Sequence, residues 1–494
     1  MEKALVLYVD DGVTDEALEL CGAFAPEIIR KRLVDSGITD GLVFSVPSSY
    51  KGKLSSAPGT IVREGDDISC WKTIAEKSGA KHLVRVYADA PFVDASVVTE
   101  MIEVHEKYLA EFTYSENIPS GLSCEIFSAE LVRDIPAEGE KRLQLSQVIR
   151  SNINQFDVEL YYKGPDIRDK RITFRGKDER ERRFMTDLHA KIGRFPAYAE
   201  LRKLIEENCG LLYAAPSYLE IEVTGNADTE ALYSWRKGVK KLRGDMPSSM
   251  FMKIISDMRT FGLPYSVCFG GSGDPLCNPS FFEMLEAARN ENLVRNIFIE
   301  TDGTRCDANF TGYLARVNDS RITIIVDCSG YDEKSYSAIY GREGFAAVKT
   351  NIIALRDAMG ANAKNLHIQL MKIRETEPFI DAYYDFWESE KVQIILQKQN
   401  TCLGAIEDRR YYDLTPLDRI PCWHLQRDLF IMSDGKVGFC KQDINGTYSK
   451  WNVADSALGE IWNARKDIFL NDYKGKRSVS PDCSACDEWY TFNM

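Results

Sequence analysis

Short apolar runs alternate with longer amphipathic ones along most of the chain. In residues 1 to about 135, β-rich runs at 4–9, 42–46, 82–88 and 111–115 are separated by stretches of helical periodicity such as 14–36 and 95–108. That alternation predicts an α/β layer with a mostly parallel sheet over residues 1–135. Residues 136–210 are densely charged and include Arg168-Asp-Lys-Arg-Ile-Thr-Phe-Arg-Gly-Lys-Asp-Glu-Arg-Glu-Arg-Arg183, so they are expected to form a connecting segment with a solvated face. Residues 211–398 hold six strand candidates, at 218–223, 265–270, 296–300, 322–327, 366–371 and 392–396. Helical stretches fall between them, including 228–242, 248–259, 280–290, 345–358 and 378–389. Six βα units in series predict a partial (β/α)6 barrel, and a flat doubly wound sheet would give the same alternation. From residue 399 to 494 the pattern breaks into a shorter, cysteine-bearing region.

Composition narrows the function classes. A chain of 494 residues is too long for one ordinary core. A net charge of −13 argues against a nucleic-acid binder, which must neutralise phosphates. No apolar run approaches 18 residues, so no membrane span is expected. The apolar run at the start is too short for a signal peptide, which points to the cytoplasm. The 13 cysteines are then not a disulfide framework, and clusters of them suggest metal. Cys21, Cys70, Cys124 and Cys209 are scattered and read as buried thiols.

In βα folds the loops after the strands carry function. Three are informative: Phe269-Gly-Gly-Ser-Gly-Asp-Pro-Leu-Cys-Asn-Pro279, Glu300-Thr-Asp-Gly-Thr304 and Val326-Asp-Cys-Ser-Gly-Tyr-Asp332. Glycines let the backbone approach a ligand closely. After the first of the six strands, Ala227, Ala231 and Ser234 stand at the spacing x3 then x2, with Tyr233 before the last.

These motifs resemble a radical S-adenosylmethionine (SAM) protein with a C-terminal SPASM-type extension, and most closely the spiro-SPASM fusion type. That family carries Cys-x3-Cys-x2-Cys after its first barrel strand, with an aromatic before the third cysteine. The resemblance implies SAM-pocket contacts at Tyr233, at Gly270, Gly271, Gly273, Asp274 and Pro275 (the family's GGEP loop), at Thr301 (its TNG turn), and at Asp327 and Ser329. This chain departs from the pattern at the ligands. Alanine has no donor atom, and serine is a hard, poor replacement for thiolate at iron. A conventional cluster cannot form at Ala227, Ala231 and Ser234, and no catalytic residue is assigned.

Near the C-terminus, Cys422 and Cys440 flank a stretch that reads as a hairpin around Asp434-Gly435, and Cys483-Ser-Ala-Cys486 closes the set. Two such pairs suit a four-thiolate site. The order of hairpin cysteine, Trp451-Asn-Val-Ala-Asp-Ser-Ala-Leu-Gly-Glu-Ile-Trp462 and Cys-x2-Cys resembles a short SPASM domain, which implies one [4Fe–4S] cluster. Spacing leaves structural zinc open, since both accept four thiolates. His424 and Cys402 are weaker substitute ligands.

At the other end, His82-Leu-Val-Arg-Val-Tyr-Ala-Asp-Ala-Pro-Phe-Val-Asp94 resembles the metal-binding turn of sugar cytidylyltransferases, with Asp89 at the magnesium position. The position of the triphosphate loop instead holds Asp10, Asp11, Asp15 and Glu16, which would repel phosphate. Three functions are therefore open. One is a SPASM-fold protein that keeps a C-terminal cluster, has lost SAM cleavage, and works with an electron donor or a partner radical SAM enzyme. The second is an active enzyme whose cluster sits on Cys277, Cys306 and Cys328. The third is a nucleotidyltransferase. The substrate, whether small molecule, peptide or sugar, is not legible.

Overall fold

Alternate residues of the first strand serve two different cores. The computed structural model describes residues 1–64, 67–136, 143–412, 415–476, 483–484 and 486–490. Strand β1 (Lys3–Tyr8) sends Leu5 and Leu7 to one apolar cluster, and Ala4, Val6 and Tyr8 to another with Trp71 and Phe127. A strand covered on both faces needs such a near-continuous apolar run. With it lie β2 (Gly41–Pro47), β3 (Thr60–Arg63), β4 (His82–Tyr87), β5 (Phe112–Tyr114), β6 (Glu125–Ser128) and β7 (Val158–Leu160). The seven strands run in the order β3-β2-β1-β4-β6-β5-β7, parallel except where β6 meets β4 and β5. The chain divides into two compact units, Met1–Leu212 and Tyr213–Met494.

Two expectations for the first unit fail for local reasons. The helix expected at 14–36 is cut into Asp15–Leu18 and Ala25–Leu33 by a small hairpin, Glu19–Leu20 against Ala23–Phe24. Cys21 and Gly22 at its tip both have positive φ, as a two-residue turn between right-twisted strands requires. The charged stretch 136–210 is not a mere connection. It supplies β7, and its helices Glu179–Ile192 and Tyr198–Glu207 bury Phe184, Met185, Leu188, Tyr198, Leu201 and Ile205. Dense charge on the outer faces hides this apolar stripe in composition.

In the second unit the six expected strands form, as β8 (Tyr218–Ile221), β9 (Tyr265–Phe269), β10 (Val294–Thr301), β11 (Ile322–Asp327), β12 (Leu366–Lys372) and β13 (Gln393–Lys398). Each pairs in parallel with the next, in unbroken sequence order. A doubly wound sheet reverses its order at a switch point, and this one does not. On the far side of β8, β14 (Asp428–Ile431) adds in parallel, register Tyr218↔Asp428 to Ile221↔Ile431, followed by β15 (Lys436–Val437) and β16 (Trp451–Asn452). The C-terminal region thus extends the barrel sheet. The helix expected at 228–242 is absent, leaving one 3-10 turn at Trp235–Gly238. Its polar side chains bond elsewhere: Thr229 donates to Asp302, Asp228 pairs with Arg305, and Ser234 accepts from the Arg236 N–H. Among the described residues, no helix is long and apolar enough to cross a membrane.

Candidate functional site

Side chains from both ends of the six-strand series line one cavity of about 190 Å³. They include Tyr218 and Glu220 of β8, Glu300 of β10, Ile325 and Asp327 of β11, Gln369 and Met371 of β12, and Ile395 and Gln397 of β13. On a flat sheet β8 and β13 would lie about 24 Å apart at the usual strand spacing. Sharing one cavity requires the sheet to curl, so this is a partial barrel and its lumen is the cavity. The period-2 alternation sends Leu219 and Ile221 outward and Tyr218 and Glu220 inward. Ala227, Ala231 and Ser234 line the same cavity, together with Tyr233. The three positions at the iron-ligand spacing therefore converge, and they offer no thiolate.

The rim loops hold one another. Asp274 accepts from Thr301 Oγ1 at 2.7 Å, from the Asp302 N–H at 2.9 Å and from the Leu276 N–H at 2.8 Å, tying the loop after β9 to that after β10. Burial, then the Asp302 charge, pushes its carboxyl up to about 7. Pro275 opens the 3-10 turn that Asp274 caps. The glycines have a packing reason. A Cβ on Gly273 would meet Thr224 O at 2.2 Å, one on Gly271 would meet Glu222 Cβ at 2.8 Å, and one on Gly270 would meet Glu300 Oε2 at 2.8 Å. Their smallness lets the loop after β9 lie on β8, its following loop and the β10 carboxylate, which is a different use from close approach to a ligand. Tyr233 donates to Asp327 Oδ1 at 2.7 Å and shares hydrogen bonds with Ser329 Oγ at 2.7 Å and Tyr340 OH at 3.2 Å. Burial pushes Asp327 up to about 7, with the tyrosine hydrogen bond opposing it.

Four side chains that matter here were missed in the sequence. Glu222 is fully buried and accepts from Arg243, Ser272 and Ser433, joining the loop after β8 to the glycine loop and the β14–β15 hairpin. Glu220, Glu300 and Lys441 meet in the lumen, with Lys441 Nζ 3.8 Å from Glu220. Burial pushes Glu220 up to about 7, and it raises Glu300 as well. Acidic residues at alternate positions of an apolar strand, Glu220 and Glu222, were the available signal.

The rim cysteines Cys277, Cys306 and Cys328 do not gather into a cluster site. None lines the cavity, and Cys328 is buried with its thiol directed to Gly330 O at 3.8 Å. The C-terminal set is different. The Cys440 thiol is raised first by burial and then by Cys486, Cys422 and Cys483, so all three lie within electrostatic reach of it. Among the described residues, no three His, Cys, Asp or Glu side chains stand close enough to hold a metal ion.

Known proteins were compared with the chain. The family model described as SPASM, an iron-sulfur cluster-binding domain, matches residues 422–487. An uncharacterized protein of Treponema pallidum is 26% identical over 364 residues, covering 70% of this chain and 97% of that protein. Streptococcus suis SuiB, solved with its precursor peptide SuiA, aligns at 16% identity and TM-score 0.44, covering 56% of this chain and 70% of that one. A cytidylyltransferase from Leptospira borgpetersenii aligns at 16% identity and TM-score 0.37, covering 43% and 96%. Residues 422–487 are thus similar to an iron-sulfur cluster-binding domain.

In the SPASM region, buried Arg465 donates to Phe439 O at 2.7 Å and Asp428 O at 3.2 Å, fixing the strand end before Cys440. Arg419 donates to Cys483 O and Cys486 O, and Lys398 of β13 to Asp487 O, which holds the closing segment on the barrel. His424 is no ligand. Its Nδ1 bonds Asp428 Oδ2 at 2.6 Å and its Nε2 bonds Glu488 O at 3.0 Å, so neither nitrogen is left for metal. Cys402 is buried in a small apolar cluster with Ile406 and Ile444.

The first unit is a mostly parallel α/β layer, and in it Asp89 does not face an open metal position. Its Oδ1 accepts from Arg175 Nε at 2.7 Å and its Oδ2 from the Lys177 N–H at 2.8 Å, with only 1% of the residue exposed. Arg175 also stacks on Tyr87 at 3.3 Å and reaches Asp10. A guanidinium supplies the charge that magnesium would bring, so these residues do not fit the metal.

Proposed function

We propose that this chain is a cytoplasmic radical SAM/SPASM-family protein of the spiro-SPASM type that holds one [4Fe–4S] cluster on Cys422, Cys440, Cys483 and Cys486 and does not cleave SAM. The observation that carries the second half is the lining of the lumen by Ala227, Ala231 and Ser234 where three thiolates are needed. The barrel is then a binding chamber, and the N-terminal cytidylyltransferase-like unit is a scaffold whose metal position is filled by Arg175.

Two features support the cluster. Residues 422–487 match an iron-sulfur domain, and Cys486, Cys422 and Cys483 all lie within electrostatic reach of the Cys440 thiol. Zinc would draw four sulfurs to about 2.3 Å from one atom. A cubane gives each of four thiolates its own iron. When bound, the cluster supplies one-electron transfer and a covalent cross-link of the region. This chain's own part is to half-bury the four cysteines and to fix their segments through Arg465, Arg419 and Lys398.

Anaerobic reconstitution followed by iron and sulfide counting tests the assignment. About four irons per chain are expected for one [4Fe–4S] cluster. Cys440→Ala should lose them. About one zinc and no iron would refute the cluster.

A further inference from the structure

The lumen holds a carboxylate with no hydrogen-bond partner. Glu220 is 3% exposed, lines the cavity and accepts no hydrogen bond; its ion-pair partner, Lys441 Nζ, is 3.8 Å away, beyond hydrogen-bond reach. A buried carboxylate left in that state is costly, and the cost falls when a donor arrives. Glu300 lines the same cavity, and its charge also acts on Lys441. The other acids of the cavity are committed: Asp327 to Tyr233, Asp274 to Thr301, Asp302 to Thr229 and Glu488 to Lys398. Glu300 takes a hydrogen bond from the Cys268 thiol, which leaves Glu220 as the cavity carboxylate that accepts none.

We propose that this cavity binds a small linear aliphatic amine whose ammonium group sits on the Glu220 and Glu300 carboxylates. Tyr218, Ile325, Met371 and Ile395 give the stem an apolar wall. The volume of about 190 Å³ is ample, against roughly 10–15 Å³ for a single water on the same measure. An organic cation fits better than a metal ion, because among the described residues no three ligating side chains come together. Burial raises both carboxyls, and an ammonium beside them would lower them again. The inference deepens the reading above, since it takes the barrel as a binding chamber.

Calorimetric titration of the reconstituted full-length protein with putrescine, cadaverine, butane-1,4-diol and succinate tests it, with iron counted on the same sample. The diamines should bind with release of protons, seen as a dependence of heat on buffer ionisation enthalpy, and the diol and succinate should not. Glu220→Gln should weaken diamine binding at least tenfold with iron content unchanged, and Glu300→Gln provides the same test should the first variant fail to fold. Equal binding of the diol, no diamine binding, or undiminished binding by both variants would overturn the proposal. Lost iron with intact amine binding would sink only the cluster reading.

Discussion

Glu222 shows how a buried charge organises the site. It joins three segments through Arg243, Ser272 and Ser433. Burial pushes its carboxyl up, but Arg243 and Ser272 outweigh that and hold it below the usual range. A depressed folded pKa contributes stability that is present above the unfolded value, about 4.3, and is lost as pH falls through the folded one. Glu222→Gln leaves the Arg243 charge buried without its partner and should cost about 3–5 kcal/mol near neutrality. Thermal melts should show that gap closing below about pH 4. A gap that stays constant down to strongly acid pH would contradict the ion-pair account. At this scale Tyr233, Asp327 and Ser329, singled out in the sequence as pocket contacts, bond to one another. It was not for Glu220, Glu300 and Lys441. An acid in an alternating strand looks the same whether it faces water or a lumen, and only the curl of the sheet separates the two.

Among the elements, the glycine-rich loop was found in the sequence for one reason and is built for another. Its glycines answer to neighbouring loops and strands, above all Gly273 against Thr224 O. Gly273→Ala therefore forces backbone apart and should destabilise by about 1–3 kcal/mol or more. Gly244→Ala, with nothing within 4 Å of its Cβ, should lie within about 0.5 kcal/mol of wild type. Parallel denaturant melts of the two variants check this, and equal midpoints would contradict it. The six barrel strands were legible because β-branched runs recur between helical stretches. The region after β8 was not. Its apolar spacing suggested a helix, but Thr229, Asp228 and Ser234 find partners on other loops, a tertiary effect that local periodicity does not carry.

For the whole molecule, strand order was the deciding fact, and alternation alone could not give it. The unbroken order from β8 to β13 selects a partial barrel, and β14 beside β8 makes the SPASM region part of that sheet. The charged stretch 136–210 turned out to be core because composition averages over faces. One unit thus joins a lumen lined by Ala227, Ala231 and Ser234 to a cysteine region matched by an iron-sulfur family. The account requires that any iron sits at the C-terminal cysteines and that none reaches the lumen to reduce SAM. The most direct test incubates the anaerobically reconstituted protein with SAM and dithionite and measures 5′-deoxyadenosine by chromatography. The predicted result is no product above the protein-free control while the C-terminal iron remains bound. Stoichiometric or greater formation of 5′-deoxyadenosine would contradict it.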